Sequence, residues 1–589
     1  MCGIAGVMMK NGRRPDAAVL DRLQAALAHR GPDATGRHVS GAIGLVHTRL
    51  AIIDTRTGDQ PLEEPGGAVL IANGEIYNDP ELRGELCDAC FRTGSDCESP
   101  LHLYRRKGLD FAGKLRGMYA IAIHDRAASK LVLTRDPFGI EPLYYVEAPA
   151  YFAFASEPQA LLAAGLANRT IRAQARAELL QLKFTTGRGT IFSQINRVLP
   201  GETMVIADGQ IAQQRRRNPL TASGPRPIGH REALERLDAV LRDSVAHHLR
   251  SDVPYGLFLS GGIDSGALAV LMARLSGNAV VALTVGFPGS AAADERVAAE
   301  RIARAVGAEH HVVEMAERDF WAKAPRVAMA LDDPTTDPAA LPTFALGEAA
   351  GGRLKVVLTG EGGDEMFCGY SRYRRARWLW GWLTRHARTH GEFDAVGKIN
   401  GALGGWRDGL ELAERQASSH WTFVQRLQAA DCAEWLPNDL LIKVDRCLMA
   451  HGVEGRTPFL DPVVADFAFA LPDRMKATTR MAKRLLRDWL ARALPAAQPY
   501  AKKTGFNPPV GEWIAARKDR VQALVAAQPG VAEAFSRQEV ARVFSEAGKV
   551  HQPAWSLLFY ALWHSHHVLG LSGDGSVEDV LSTACSWRG

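Results

Sequence analysis

The hydrophobic pattern of the chain changes once, at residues 213–230, and this change constrains the fold more than any other sequence feature. Before it, strand-like runs such as Ala68–Ala72 and Met118–His124 are separated by clusters of glycine, aspartate and asparagine. After it, strand-like runs alternate with helical stretches, as in Tyr255–Leu259 followed by Ser265–Leu275. The pattern predicts a strand-rich α+β region followed by βαβ units around a parallel sheet.

Residues 213–230 themselves, QQRRRNPLTASGPRPIGH, are rich in Arg, Pro and Gly and have no apolar period. Such composition is typical of an interdomain linker. We therefore expect a first domain over residues 2–212 and a second over 231–589, largely helical after about residue 372. Further predicted strands are Ala42–Leu50, Leu131–Thr134, Tyr151–Ala155, Val280–Val285, His311–Glu314 and Leu354–Leu358, and further predicted helices are Ala17–Ala28, Ala177–Gln181, Arg231–Leu249 and Glu295–Val306.

Charge and cysteine content limit the class of protein. The net charge of +5 comes from 70 basic and 65 acidic residues, which is too small a bias to indicate nucleic acid or a membrane surface as partner. Eight cysteines in 589 residues are not a disulfide framework. The start, Met1–Val7, lacks the basic residues of a secretory signal, and the chain has no apolar run long enough to span a membrane. These features predict a cytoplasmic protein.

Cys2 is the first residue with catalytic potential. A side chain as small as cysteine at position 2 favours removal of Met1, which would leave a cysteine with a free α-amine. An α-amine has a pKa of about 7.7–8.0, so it can accept the thiol proton directly or through water. The alternative is that Met-Cys-Gly is an accident of the start site.

Four further segments supply what a thiolate needs to attack a primary amide: Arg30–Asp33, His47–Asp54, Ala72–Asn78 and Arg92–Asp96. Arg49 is suited to a bidentate grip on an α-carboxylate. Asn73 offers a side-chain donor beside the backbone N–H of Gly74, as an oxyanion hole requires. Asp96 could hold an α-ammonium. Taken singly, Asn-Gly is an ordinary hairpin turn and isolated charges usually face solvent.

In this order, the segments resemble the class II glutamine amidotransferases, which have an N-terminal-nucleophile fold, an αββα sandwich. The similarity runs through Cys2, Arg30–Asp33, Arg49–Asp54, Asn73–Asn78, Thr93–Asp96, Gly117–Ala120 and Arg135–Tyr144. The resemblance implies that Cys2 is the nucleophile, that Asn73 and Gly74 line the oxyanion hole, and that Arg49, Glu75 and Asp96 bind the amino-acid end of glutamine. The implied reaction converts glutamine into glutamate and ammonia through a thioester.

Two loops after predicted strands point to nucleotide chemistry. Phe258–Gly266, FLSGGIDSG, follows a strand and opens a helix, where small residues and helix N–H donors can hold phosphate. It is not a Walker A loop, because no lysine follows the second glycine. Leu358–Glu365, LTGEGGDE, adds carboxylates at another strand end, and ligands of open parallel sheets bind beyond these ends. The alternatives are a tight turn and a flexible acidic turn.

The combination of both regions resembles glutamine-hydrolysing asparagine synthetase, a carbon–nitrogen ligase. The resemblance implies an ATP site formed by Leu259, Ser260, Gly261, Gly262, Asp264, Ser265, Val285, Thr359, Gly360 and Lys483. Glu361 would assist formation of a β-aspartyl-AMP intermediate, and Asp264 and Asp364 would carry Mg²⁺. Ammonia from the Cys2 site would cross an internal tunnel and convert that intermediate into asparagine. The implied small-molecule partners are glutamine, aspartate and ATP, and a homodimer is left open.

The acceptor has an alternative. Where some asparagine synthetases carry an arginine-bearing segment for aspartate, this chain has Leu331–Pro342, LDDPTTDPAALP, without arginine. A related amidotransferase could act on another carboxylate, in surface polysaccharide or peptide synthesis. Ring-closing relatives typically lack the working cysteine, and Cys2 favours ammonia transfer. A non-catalytic protein on the same scaffold would be expected to have lost Cys2 or the Ser260–Ser265 loop.

Several conspicuous side chains are expected to be structural. We expect Cys87 and Cys90 to be ordinary, partly buried thiols, since no second cysteine pair follows at metal-ligand spacing. The histidines His564, His566 and His567 are expected to pack rather than to bind metal. Trp378, Trp380 and Trp382 are expected to be surface or helix-packing aromatics rather than a platform for stacked bases. Arg480–Arg487 is expected to be a basic helix with a solvated face, from which Lys483 reaches phosphate.

Overall fold

Antiparallel sheets form the first part of the chain in a computed structural model, which describes residues 1–290, 294–376, 388–396, 404–501 and 508–586. Trp378, Trp380 and Trp382 lie outside the described residues. The strands are β1 (Gly3–Met9), β2 (Ala34–Ser40), β3 (Ile43–Arg49), β4 (Leu62–Glu63), β5 (Ala68–Ile76), β6 (Gly117–Asp125), β7 (Lys130–Arg135), β8 (Tyr144–Glu147), β9 (Tyr151–Ala155), β10 (Asn196–Arg197), β11 (Glu202–Ala207) and β12 (Gln210–Arg216). The helices are α1 (Ala17–Ala26), α2 (Asp79–Glu85), α3 (Ser99–Lys107), α4 (Pro158–Ala163) and α5 (Ala173–Leu182).

These strands form two six-stranded sheets, with orders β10-β8-β9-β1-β3-β2 and β12-β11-β7-β6-β5-β4. Apolar side chains of both sheets share one buried core, including Ile4 and Leu45 from the first and Ile71 and Leu133 from the second. Helices α1 and α4 contact the first sheet and α3 contacts the second. This antiparallel part agrees with the predicted strand-rich α+β class.

A five-stranded parallel sheet organises the second part, in the order β15-β14-β13-β16-β17. Its strands are β13 (Tyr255–Phe258), β14 (Val281–Gly286), β15 (Glu309–Glu314), β16 (Val356–Leu358) and β17 (Glu454–Arg456), and every pair of neighbours is parallel. The predicted parallel sheet is therefore confirmed. In this parallel part, the carboxyl ends of the strands meet at one edge, where ligands of such sheets bind.

The helices of the parallel part begin with α6 (His230–His248), α7 (Ile263–Leu275), α8 (Arg296–Val306), α9 (Glu317–Ala330), α10 (Ala340–Ala350), α11 (Gly363–Phe367), α12 (Ser371–Arg375), α13 (Asp408–Gln416) and α14 (Phe423–Ala430). A wider helical segment, Asp431–Leu441, leads into α15 (Ile442–Met449). The remaining helices are α16 (Pro462–Ala470), α17 (Asp473–Lys476), α18 (Arg484–Ala493), α19 (Val510–Ala516), α20 (Lys518–Ala526), α21 (Pro529–Ala532), α22 (Arg537–Ser545), α23 (His551–His567) and α24 (Val577–Ser586). Within the described ranges, no helix is long and apolar enough to cross a membrane.

Two predicted elements differ from the structure. Strand β17 lies inside the region predicted to be helical; its three residues, Glu454–Arg456, carry two charges, so only their pairing with β16 identifies them as a strand. The predicted helix Arg480–Arg487 begins only at Arg484, because Lys483 adopts a left-handed conformation (φ 53°, ψ 39°) that an α-helix does not continue. Strand β12 also runs to Arg216, inside the range 213–230.

The side chains expected to be structural divide into two groups. His564 and His567 are buried on α23, where their rings contact Tyr560 and Trp563, so the prediction that they pack is confirmed. Cys87 and Cys90 are exposed rather than partly buried, because the segment after α2 lies at the surface.

Candidate active sites

One cleft collects five residues predicted for a glutamine site. Cys2, Arg49, Gly74, Glu75 and Asp96 all line it, together with Met1, Leu50, Ile52, Ile53, Gly58, Gln60, Ser95 and Cys97. Three strand ends create it, because β1 starts next to Cys2, β3 ends at Arg49, and β5 carries Gly74 and Glu75.

The nucleophile candidate is held by its backbone. The Cys2 N–H donates to Asn73 Oδ1 at 2.6 Å, and Arg30 Nε donates to the Cys2 carbonyl at 2.9 Å. The Sγ atom lies 3.9 Å from the carbonyl oxygen of Leu50. Burial raises the pKa of the Cys2 thiol, and the nearby N-terminal ammonium opposes that shift. A thiolate at this position therefore needs a base or a cation close by.

The described chain retains Met1, so the α-amine belongs to Met1 and lies 2.5 Å from Glu454 Oε2. Burial lowers the pKa of this amine, but the charges of Glu454, Cys2 and Glu141, together with the hydrogen bond to Glu454, raise it above the ordinary value. If Met1 is removed, the new amine is the nitrogen of Cys2, which already lies beside Asn73 Oδ1.

Two carboxyl groups and one guanidinium give the cleft its electrostatic character. Asp96 accepts a hydrogen bond from the Ile76 N–H at 2.5 Å, and burial, with the charge of Asp79, raises its pKa to about 6. Burial and the charge of Asp96 also raise the pKa of Glu75. Arg49 donates to Asp59 at 2.7 Å and to the carbonyl of Asp54 at 2.5 Å. An α-amino acid, with one cationic and one anionic group, complements this arrangement.

Asn73 and Gly74 lie within strand β5 rather than in a hairpin turn. They pair with Ala120 and Tyr119 of β6. Gly74 reaches the cleft, whereas the Asn73 side chain is fully buried and its Nδ2 donates to Glu141 Oε2 at 2.5 Å. In this structure, the Asn73 atom that contacts Cys2 is therefore Oδ1, which accepts from the Cys2 N–H, and not the donor Nδ2.

Strand β17 adds two charged residues that the sequence does not predict for the site. Glu454 binds the Met1 amine, and its other oxygen accepts from Arg456 Nε at 2.6 Å. Arg456 Nη2 lies 3.4 Å from Glu75 Oε2. Both residues are fully buried. In the sequence, the only sign of these residues was the charged pair Glu454 and Arg456 within the segment Gly452–Asp461. This segment lies more than 370 positions after Glu75, so the sequence did not indicate their contact.

The second site lies at the carboxyl edge of the parallel sheet. Leu259 follows β13 directly and Val285 belongs to the neighbouring β14; both are buried. The loop from Ser260 to Ser265 is closed by its own hydroxyl groups, since the two Oγ atoms lie 3.1 Å apart and the Ser260 N–H donates to Ser265 Oγ at 3.2 Å. Helix α7 begins inside this segment, at Ile263, so Ser265 belongs to the first turn of the helix.

A second loop touches the first. A Cβ atom built on Gly360 would lie 3.1 Å from the Cβ of Asp264, so these two loops approach closely. Lys483 Nζ binds both Asp264 and Asp364, the latter at 2.5 Å. The two carboxylates raise the pKa of Lys483, although its burial opposes that shift. The structure thus joins three predicted residues from distant parts of the sequence.

Glu361 and Thr359 occupy the same edge. The Thr359 N–H donates to the Arg456 carbonyl at 2.8 Å, which links the end of β16 to β17. Glu361 Oε1 lies 3.9 Å from Nζ of Lys443, a buried lysine at the start of α15. The sequence does not predict Lys443 for the site; the available signal was a lysine within the apolar run Leu440–Val444.

The antiparallel and parallel parts are joined by buried ion pairs. Arg30, which holds the Cys2 carbonyl, makes a bidentate pair with Asp445 of α15 at 2.9 and 2.7 Å. Arg446, the next residue, lies 3.8 Å from Glu157 of the antiparallel part and also binds Asp332 of the parallel part at 2.7 Å. Helix α15 therefore reaches both candidate sites, through Lys443 and through Asp445.

Comparison with known proteins gives two family matches. Residues 236–565 match the family described as asparagine synthase, and residues 1–216 match the glutamine amidotransferase domain. A putative glutamine-hydrolysing asparagine synthetase of Mycobacterium tuberculosis is 33% identical, with 93% of this chain and 94% of that protein covered. Glutamine-hydrolysing asparagine synthetase 1 of Bacillus subtilis is 30% identical, covering 96% and 97%. Asparagine synthetase B of Escherichia coli is 31% identical, covering 88% and 84%.

The family matches extend over both candidate sites, and the similarity to these relatives covers most of each chain. The protein is therefore an enzyme that belongs to the asparagine synthase family, with a glutamine amidotransferase domain in its first 216 residues.

Proposed function

We propose that the protein transfers the amide nitrogen of glutamine to the side-chain carboxylate of L-aspartate, with cleavage of ATP to AMP and pyrophosphate. The observation that carries this proposal is the convergence of Cys2, Arg49, Gly74, Glu75 and Asp96 on one cleft. The proposed domains are residues 2–216, an N-terminal-nucleophile αββα sandwich that ends with β12, and residues 230–589, which begin with α6; the linker predicted over 213–230 is thereby shortened to 217–229.

In the glutamine site, Arg49 would bind the α-carboxylate of glutamine, and Asp96 with Glu75 would bind its α-ammonium. The α-amine of Cys2, free once Met1 is removed, accepts the thiol proton, and the thiolate attacks the side-chain amide carbon. The same amine returns the proton to the amide nitrogen, which leaves as ammonia when the tetrahedral intermediate collapses to a thioester. Water then releases glutamate. Asn73 and the Gly74 N–H are the proposed oxyanion donors. Because Asn73 Nδ2 donates to Glu141 in this structure, that role requires Asn73 to exchange Glu141 for the substrate oxygen.

In the ATP site, the loop Ser260–Ser265 and the start of α7 would hold the pyrophosphate portion, since backbone N–H groups and a helix N-terminus favour anions. Leu259, Val285, Thr359 and Gly360 would flank the nucleotide. The aspartate side-chain carboxylate attacks the α-phosphorus, and pyrophosphate leaves. Ammonia then attacks the acyl carbon of the β-aspartyl-AMP, and AMP leaves with the former carboxylate oxygen.

Asp264 and Asp364 fit the proposed Mg²⁺ site. Their carboxylates converge on one cation, the Lys483 ammonium, and Mg²⁺ is commonly held by one or two carboxylates together with substrate phosphates. When bound, Mg²⁺ would neutralise charge on the leaving pyrophosphate. Lys483 would then donate to the adenylate or pyrophosphate, and Glu361 would keep the acceptor in register for attack.

The first test separates the nitrogen source from the synthetase reaction. We expect Cys2→Ala to abolish asparagine formation from glutamine and to retain formation from ammonium chloride, because only the nucleophile that releases ammonia is lost. Product amino acids and pyrophosphate are measured in parallel with both nitrogen sources. Glutamine-dependent synthesis at the wild-type rate in Cys2→Ala would refute the role of Cys2.

The second test identifies the acceptor. With aspartate labelled with ¹⁸O in its side-chain carboxylate, one labelled oxygen should appear in AMP. Mass analysis of AMP and of the amino-acid product checks this expectation. Pyrophosphate release with another carboxylate, without asparagine and without label in AMP, would show that the acceptor assignment is wrong and leave glutamine-dependent amidation in place.

A further inference from the structure

Lys443 is a buried cation at the edge where the acceptor should bind. It is the second residue of helix α15, and its side chain is 5% exposed. Its Nζ lies 2.9 Å from Asp337 Oδ2 and 3.9 Å from Glu361 Oε1. The side chains of Asp337 and Glu361 are 17% and 26% exposed, so this cluster of three residues opens towards solvent on their side.

The lysine retains capacity to bind a ligand. An ammonium group has three N–H donors, and in the part of the chain that the structure describes, Lys443 makes one hydrogen bond, to Asp337. Burial lowers the pKa of Lys443, but the charges of Asp337, Glu361 and Asp439 together raise it, so the group remains charged. A buried cation with unused donors is suited to a carboxylate that enters from the open side.

The neighbouring acidic residue Asp439 is already used by the protein. Its Oδ1 accepts from the Thr335 hydroxyl and its Oδ2 accepts from Trp435 Nε1 at 2.6 Å. Asp337 accepts from Lys443 through Oδ2 and from the Ala339 N–H through Oδ1 at 3.1 Å, but a carboxylate has about four lone-pair sites, so it can still accept from a ligand. Asp337 and Glu361 are also more exposed than Asp439, which is 1% exposed. Two carboxylates and one ammonium complement a ligand that carries both a cationic and an anionic group.

We infer that Lys443 binds the α-carboxylate of the acceptor and that Asp337 binds its α-ammonium, so that the enzyme accepts a free dicarboxylic α-amino acid. This inference rests on the proposed function and narrows it. Leu331–Pro342 contains neither arginine nor lysine, and Lys443, which contacts Asp337 of that segment from α15, supplies the missing cation. The acceptor side-chain carboxylate would then point to Glu361 and the nucleotide.

A peptide or polysaccharide acceptor would not satisfy this cluster, because it lacks the adjacent free α-carboxylate and α-ammonium. The competing role for Lys443 is structural: its pair with Asp337 would only hold α15 against the segment before α10. The two roles differ in substrate selectivity, since a structural pair does not distinguish acceptors that carry or lack an α-carboxylate.

The experiment compares three acceptors in the full-length protein with ATP, Mg²⁺ and ammonium chloride, and measures kcat/KM for pyrophosphate release. The acceptors are aspartate, 3-aminopropanoate, which lacks the α-carboxylate, and succinate, which lacks the α-ammonium. The variants are Lys443→Met, Lys443→Arg and Asp337→Asn. Lys476→Met is the matched control, because Lys476 is also fully buried but bonds to Gln428 and to the carbonyl of Phe469.

We expect the wild type to prefer aspartate over 3-aminopropanoate by about 100-fold, in line with hydrogen bonds between buried charged groups. Lys443→Met should reduce this ratio to within a fewfold of unity, mainly through the KM for aspartate, and Lys443→Arg should restore part of it. Asp337→Asn should reduce the preference for aspartate over succinate. Because each ratio is taken within one protein preparation, partial loss of folded protein cancels.

For the control Lys476→Met, we expect a lower overall rate and an unchanged ratio of kcat/KM for aspartate to that for 3-aminopropanoate. The same result for Lys443→Met would overturn the inference. Failure of the proposed function gives a different result, because the wild-type protein would then release no pyrophosphate with aspartate. That result, seen before any variant is examined, would overturn the acceptor assignment and this inference together.

Discussion

Gly74 is a position in the proposed glutamine site where no residue with a side chain fits. Its φ of 142° is rarely adopted by residues with a side chain, and a Cβ atom would lie 2.1 Å from the Met118 carbonyl oxygen and 2.6 Å from Tyr119 Cα. Because Met118 and Tyr119 belong to β6, an added methyl group would push apart the two strands that support Glu75 and Asn73.

We therefore expect Gly74→Ala to reduce kcat/KM for glutamine hydrolysis at least tenfold and to lower the free energy of unfolding by about 1–3 kcal/mol. Glutaminase assays and urea unfolding measure the two effects. Gly84→Ala is the matched control, since no atom lies within 4 Å of a Cβ at that helical position. Normal hydrolysis by Gly74→Ala would contradict the described packing of β5 against β6.

Asp96 should give the glutamine site a defined pH dependence. Its pKa in the free protein is raised to about 6, chiefly by burial, and only the ionised form attracts an α-ammonium. Because the carboxyl group is protonated below that pH, kcat/KM for glutamine should fall as the pH decreases through about 6 and should level off above it.

The measurement is a pH profile of kcat/KM for glutamine hydrolysis in wild type and in Asp96→Asn. The variant should have a lower maximum and no acidic limb near pH 6. A limb that persists unchanged in Asp96→Asn would assign it to another group, of which Glu75 is the nearest alternative, since burial raises its pKa as well.

Strand β17 is the element that connects the two sites. Through Glu454 and Arg456 it contacts the N-terminus and Glu75, and the Arg456 carbonyl accepts from the Thr359 N–H beside the predicted nucleotide. Arg456 also donates to the carbonyls of His248 and Arg250 at 2.8 and 2.7 Å. A three-residue strand thus concentrates buried charge that must be fully paired.

Arg456→Met should therefore leave Glu454 and Glu75 buried without their guanidinium partner and lower the free energy of unfolding by about 3–5 kcal/mol. It should also raise the KM for glutamine, because Glu75 loses the cation that favours its ionised form. Chemical unfolding and glutaminase kinetics report the two effects. The control Arg304→Met removes an exposed pair with Glu300 and should lower the free energy of unfolding by less than about 1 kcal/mol. Equal decreases in the free energy of unfolding of the two variants would contradict the stabilising role of Arg456.

Buried charges also join the antiparallel and parallel parts of the whole molecule. Buried pairs across this boundary include Arg30–Asp445, Arg116–Asp461, Arg197–Asp333 and the Met1 amine with Glu454. Since Arg30 holds the Cys2 carbonyl, the position of the nucleophile depends on a carboxylate from the other part of the chain.

We expect Asp445→Asn to reduce kcat for glutamine hydrolysis by about tenfold, because Arg30 loses a charged, bidentate partner and Cys2 its fixed position. The control is Asp466→Asn, since Asp466 is exposed and accepts a hydrogen bond from the exposed Thr221 of the linker, far from Arg30 in the sequence. Steady-state glutaminase kinetics of both proteins provide the measurement. A wild-type kcat in Asp445→Asn would mean that the antiparallel part positions Cys2 without help.

The sequence alone determined those features that depend on local pattern and on residues close together in the chain. Strand Tyr151–Ala155 has the predicted bounds, and the alternation of strands and helices after residue 230 predicted a parallel sheet, because side-chain period and turn residues are local properties. The cleft residues Arg49, Gly74 and Asp96 were also predicted, since each lies in a short, chemically distinctive segment.

Only the tertiary structure decided which distant charges meet. Glu454 and Arg456 carry no periodic signal, and their partners Met1 and Glu75 lie hundreds of residues away in the sequence. Lys443 is similar: in the sequence it interrupts an apolar helix, and in the fold it is the buried cation between Asp337 and Glu361. A buried charge is stable only beside its counter-charge, and strand order and helix packing, which are properties of the whole chain, determine where that counter-charge lies.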